Sequence, residues 1–184
     1  MSLGGVALIA LAELPEPAVA LTGEITQEGW RQCSTCRILF FAHHPASGFG
    51  VCPGGGPHLP SPTRYRVPLG VEVRGVRQGG WSWCMHCMAL YARVRGSRGV
   101  CPGARDPRDR GHVNFSGGYA AFLDNGGEDQ ESGWRWCSRC MGMFHAEAGD
   151  GICPNVDPDF PFPTPHDGAA SLAYAQLIGP GHKP

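Results

Sequence analysis

Nine cysteines fall on three copies of one pattern, and this arrangement constrains the chain more than any other feature. The first copy runs Gly29-Trp30, Cys33, Cys36, Leu39-Phe40-Phe41, Gly50-Val51-Cys52-Pro53, His58 and Tyr65. The second runs Gly80-Trp81, Trp83, Cys84, Cys87, Leu90-Tyr91, Gly99-Val100-Cys101-Pro102, His112 and Tyr119. The third runs Gly133-Trp134, Trp136, Cys137, Cys140, Met143-Phe144, Gly151-Ile152-Cys153-Pro154, His166 and Tyr174. Trp30, Trp81 and Trp134 are 51 and 53 residues apart, so the unit is about fifty residues long.

Three thiols per unit cannot pair among themselves, which argues against a disulfide framework confined to each unit. A tetrahedral zinc site needs four soft or borderline donors, and three cysteines with one histidine are a common structural set. The Cys-x-x-Cys step makes a tight knuckle that puts both sulfurs on one side of a metal, and it recurs at identical spacing in all three units. Three Zn²⁺ ions are therefore expected, with zinc the usual occupant of such a set. The histidine follows the third cysteine by 6, 11 and 13 residues, but precedes the downstream tyrosine by 7, 7 and 8. Equivalence on the tyrosine side makes His58, His112 and His166 the expected fourth donors. The expected ligand sets are Cys33, Cys36, Cys52 and His58; Cys84, Cys87, Cys101 and His112; and Cys137, Cys140, Cys153 and His166. Competing donors are His43, His44 and His145, and an aspartate such as Asp106 or Asp157. His86 is trapped between two knuckle cysteines, where its ring cannot easily turn inward.

Glycine (28) and proline (17) are abundant enough to favour turn-rich β structure over long helices. The expected fold class is all-β. Each unit reads as a zinc-clasped hairpin, with Leu39-Phe40, Leu90-Tyr91 or Met143-Phe144 on its return strand. A further strand then begins at Tyr65, Tyr119 or Tyr174, and Pro68 marks an edge or an end in the first copy. The second tryptophan of each Trp-x-Trp pair shares a strand face with the first, and Gln32 replaces it in the first unit. Buried rings over the metal and in a thin core are the expected role of these residues, with a sugar-stacking platform as the alternative. A unit of this size buries too little apolar surface to stand alone, so metal binding should be coupled to folding. The expected organisation is residues 1–28 as an N-terminal strand segment, with 29–79, 80–132 and 133–184 as the three zinc repeats. A closed, trefoil- or propeller-like arrangement with pseudo-threefold symmetry is expected rather than a row, with Val6 to Ala12 pairing with the C-terminal strand.

The formal net charge is −1, and three thiolate-bound zinc ions would carry it to about −4, which disfavours nucleic-acid binding by charge alone. Arginines nevertheless gather between residues 71 and 110, and an acidic run of Asp124, Glu128, Asp129 and Glu131 follows. No basic residue precedes the apolar run Val6 to Ala12, and Glu13 and Glu16 follow it, so a cleaved signal is not expected. No stretch is long and apolar enough to span a membrane. Thiolate sites suit a reducing interior, so a cytoplasmic or particle-borne protein is expected over a secreted one.

The succession Gly-Trp-x-Trp-Cys-x-x-Cys, Gly-x-Cys-Pro, His, Tyr resembles tandem Cys3His zinc-ribbon-like repeats of uncharacterised bacterial proteins, and covers residues 29 to about 178. The resemblance implies zinc binding and a non-catalytic module. Variable loops between invariant ligands make a binding or structural module the leading expectation, with a protein or assembly partner met through the Arg93 to Arg110 loop. Carbohydrate recognition through exposed aromatic faces is the alternative, and a zinc hydrolase is disfavoured because four donors are available in every unit.

Overall fold

The computed structural model describes residues 25–44, 48–70, 72, 75–94, 96–156 and 163–180. Val6 to Ala12 and Asp157 lie outside them.

Each repeat contributes three strands. They are β1 (Thr26–Gln32), β2 (Leu39–Phe41) and β3 (Tyr65–Pro68); β4 (Arg77–Cys84), β5 (Leu90–Ala92) and β6 (Asn114–Leu123); and β7 (Gln130–Trp136), β8 (Met143–His145) and β9 (Tyr174–Ile178). The first two strands of each repeat form the expected hairpin, with Trp30 opposite Phe41, Trp81 opposite Ala92 and Trp134 opposite His145. The third strand lies on the hairpin's other side, pairing Tyr65, Tyr119 and Tyr174 with the same three tryptophans. Pro68 ends β3, as a residue without a backbone donor should.

One local device recurs in all three. The ladder slips between Gln27 and Trp30, between Gln78 and Trp81, and between Glu131 and Trp134. The glycine before each tryptophan, at φ 92, 83 and 86°, lies in the left-handed region that such a bulge requires. The Gly-Trp step thus bends each first strand and turns its indole inward.

All nine strands belong to one connected, nearly closed, barrel-like sheet. The third strands meet at one end: β9 pairs with both β3 and β6, and the Leu69–Tyr119 bridge brings the end of β3 to β6. The hairpin return strands meet at the other end through bridges Phe40–Ala89, Tyr91–Gly142 and Ile38–Phe144. Trp30, Trp81 and Trp134 are buried between these layers. Each stands edge-on to the tyrosine of the following repeat, Trp30 on Tyr119 at 5.5 Å, Trp81 on Tyr174 at 5.3 Å and Trp134 on Tyr65 at 5.2 Å between ring centroids. Those tyrosine hydroxyls donate to Gln27, Gln78 and Glu131, each three residues before the tryptophan that the ring contacts. Repeat 3 meets repeat 1 through the same contacts that join the other pairs, so the chain closes on itself rather than running in a row. Among the described residues no helix is long and apolar enough to cross a membrane.

Candidate metal centres

The knuckle is built at the end of each hairpin's first strand. Cys33, Cys84 and Cys137 accept at their carbonyls from the backbone N–H groups of Arg37, Met88 and Met141, at 2.9, 2.8 and 2.8 Å. The donors Arg37, Met88 and Met141 have φ of 67, 62 and 64° although none is glycine, a strained conformation in a side-chain-bearing residue. The strain turns the chain sharply after the second cysteine and leaves both sulfurs facing one point.

Three groups of four donors result: Cys33, Cys36, Cys52 and His58; Cys84, Cys87, Cys101 and His112; Cys137, Cys140, Cys153 and His166. All twelve residues are buried, and within each group the donor atoms lie within 4.8 Å of one another. The spacings fit a metal rather than disulfides, since a bonded pair of sulfurs would stand only about 2 Å apart. Sγ–Sγ distances are 3.9 Å for Cys33–Cys52, 3.6 Å for Cys84–Cys101 and 3.8 Å for Cys137–Cys153. Sγ to His Nδ1 is 3.4 Å for Cys36–His58, 3.4 Å for Cys87–His112 and 3.5 Å for Cys140–His166. Ligands on a shared tetrahedral zinc, with Zn–S about 2.3 Å and Zn–N about 2.0 Å, would stand about 3.8 Å and about 3.5 Å apart respectively. The donor sets therefore fit three zinc ions.

Electrostatics point the same way. Burial first, then the Cys101 and Cys84 sulfurs, push the Cys87 thiol far above its ordinary value, and burial with Cys137 and Cys153 does the same to Cys140. Several buried thiolates can share so small a space only if a cation neutralises them.

The histidine tautomer follows from its second partner. Nε2 of His58 donates to the carbonyl of Cys87, Nε2 of His112 to that of Cys140, and Nε2 of His166 to that of Cys36, each at 3.0 Å. A carbonyl can only accept, so Nε2 carries the proton and the Nδ1 lone pair faces the sulfurs. Each acceptor belongs to the next repeat's knuckle. Phe40, Tyr91 and Phe144 stack on the three imidazoles with centroids 4.7, 4.5 and 4.7 Å away, and so cover the metal sites. Trp30, Trp81 and Trp134 instead fill the core. Comparisons with protein-family models, curated proteins and solved structures found no match for this chain.

The competing donors are occupied elsewhere. His145 donates from Nε2 to Ser132 and accepts at Nδ1 from the Ala148 N–H, while His44 packs against Trp83 and Phe115. His43 lines a surface cleft, and an Asp106 carboxylate oxygen accepts from the Arg108 N–H. Of the second indole of each Trp-x-Trp pair, Trp83 is buried and Trp136 half-buried. Sequence reasoning missed the left-handed knuckle residues, because Arg37, Met88 and Met141 carry none of the usual signals for positive φ. It also missed the donation from each histidine to the next repeat, which has no sequence signature.

Proposed function

We propose that this protein is a non-catalytic binding scaffold in which three structural zinc ions hold a ring of small β units, and that displayed loops recognise a protein partner. One observation carries the reading: every site assembles four buried protein donors at tetrahedral spacing. A catalytic zinc keeps a position for water or substrate, and four protein ligands leave none. The metal's contribution is then to folding, where structural zinc in comparable small units supplies roughly 10–16 kcal/mol of apparent binding free energy.

The segment from Arg93 to Arg110 is the favoured contact surface. An Arg98–Asp109 ion pair at 2.6 Å closes it, and the Arg110 guanidinium donates to the Pro154 carbonyl at 3.2 Å. Arg105 and Arg108 remain exposed at its tip. The loop thus has a held base and a cationic crest, which suits an acidic protein surface. Reversing charge with Arg105→Glu and Arg108→Glu should abolish capture of the partner by the tagged, zinc-loaded protein while native mass spectrometry still counts three zinc ions. Undiminished capture would remove this loop from the proposal.

A further inference from the structure

The outer face of β1 and β3 carries a concentration of positive charge that the repeat pattern does not require. Arg31 follows Trp30 on β1, Arg64 immediately precedes the paired Tyr65 at the start of β3, and Arg66 lies one residue beyond Tyr65. Like charges facing each other across strands destabilise a sheet. Counting from the repeat tyrosines, Arg64 and Arg66 correspond to Gly118 and Ala120 in the second unit, and to Ala173 and Ala175 in the third. The fold is therefore built twice without these two arginines.

Arg31, Arg64 and Arg66 all line a cleft of about 430 Å³, bounded by β1, β3 and the chain following β9, with Glu28, His43 and Phe49 also in its wall. That volume falls within the range of small-molecule sites. Arg31 is fixed in place because its Nη1 donates to the carbonyls of Ser61 and Thr63 at 3.1 and 3.4 Å. Burial, and then the charge of Arg64, hold its guanidinium below the usual arginine value, so the two cations are close enough to repel. Arg66 donates from Nη2 to the Ile178 carbonyl at 3.4 Å, while its buried Nε has no hydrogen-bond partner. Among the described residues none of the three makes an ion pair. Among the described residues that line the cleft, three arginines stand against one carboxylate residue, Glu28, an excess of two positive charges.

We propose that this cleft binds a phosphate group, either free or carried by a small organic molecule. A phosphate monoester is close to a dianion at neutral pH, matching the excess charge, and guanidinium forks bind it through paired N–H donors. Phe49, 40% exposed at the cleft wall, offers an apolar surface for an organic substituent.

Calorimetric titration of the zinc-loaded protein with phenyl phosphate, inorganic phosphate and benzoate tests the assignment. Saturable binding of one phosphate-bearing probe per chain is expected, weakened at least about tenfold by Arg64→Gln and by Arg66→Gln. Three retained zinc ions in each variant establish that the fold is intact, and Arg64, being exposed, is the safer substitution. Tighter binding of phenyl phosphate assigns the site to an organic monoester, and equal or tighter binding of inorganic phosphate assigns it to the free anion. The proposal is overturned if neither phosphate probe saturates below about 10 mM, if either variant binds as the parent does, or if benzoate matches the phosphate probes.

Discussion

At each junction between repeats one carbonyl group does two things. The Cys140 oxygen accepts the proton of His112 Nε2, and the same carbonyl lies against Gly99, where an added Cβ would overlap it. Gly50 meets the Cys87 carbonyl and Gly151 the Cys36 carbonyl in the same way. With φ of 57°, Gly99 also has a backbone that disfavours any side chain. Gly99→Ala should therefore cost several kcal/mol, lowering the melting temperature by about 10 °C or more. Gly96 has φ 79° but open space around it, so Gly96→Ala should cost only about 1 kcal/mol, or about 2–4 °C. Calorimetry of both zinc-loaded variants makes the comparison, and equal losses would show that backbone strain, not the carbonyl contact, fixes the glycine. The Gly-x-Cys-Pro step was plain in the sequence, as were the metal donors. The purpose of its glycine was not, because the atom it avoids lies in another repeat.

Among elements, the hairpins and third strands were legible because the apolar and aromatic positions recur with the cysteines. Less legible was the start of β6 at Asn114, five residues before Tyr119, and the bulge at each Gly-Trp step. The third strands carry the tyrosines that join the repeats, and in two of them, Tyr65 and Tyr174, burial raises the pKa of the hydroxyl. Burial pushes the Tyr174 hydroxyl up to about 12, and burial followed by the Glu131 carboxylate raises Tyr65 further. A folded value above the unfolded one of about 10 means that this contribution to stability is whole below pH 10 and declines as pH rises through the folded value. Tyr174→Phe also removes the bond to Gln78, which should cost about 1 kcal/mol at neutral pH. Denaturant titrations at neutral and alkaline pH should thus find the variant less stable than the parent at pH 7, yet with a shallower decline above about pH 10. Parallel declines would place the alkaline sensitivity elsewhere.

Across the whole molecule, the order of contacts makes the three zinc sites neighbours in a ring. His58 is held by the second knuckle, His112 by the third and His166 by the first. Backbone bonds Phe41 to Met88, Ala92 to Met141 and His145 to Arg37 follow the same order, each ending on a left-handed knuckle residue. Filling one site fixes a carbonyl that orients the histidine of the preceding one. Zinc loading should therefore be cooperative, with couplings of about 1–3 kcal/mol between sites. Native mass spectra taken through a chelator titration should be dominated by the forms with three zinc ions and none, with far less of the one- and two-zinc forms than independent sites would give. A binomial distribution would show that the sites do not communicate.

The sequence alone determined the donor sets, the three-strand unit and the all-β class, because ligand chemistry, spacing and period are properties of short stretches of chain. The tertiary structure decided which repeat supports which. The histidine-to-carbonyl bonds join residues 29, 28 and 130 positions apart, and the third of these closes the ring. It also decided that Arg31, Arg64 and Arg66 line one cleft. Neither outcome follows from local pattern, since both depend on which strands meet once apolar surface and backbone donors have been paired across the whole sheet.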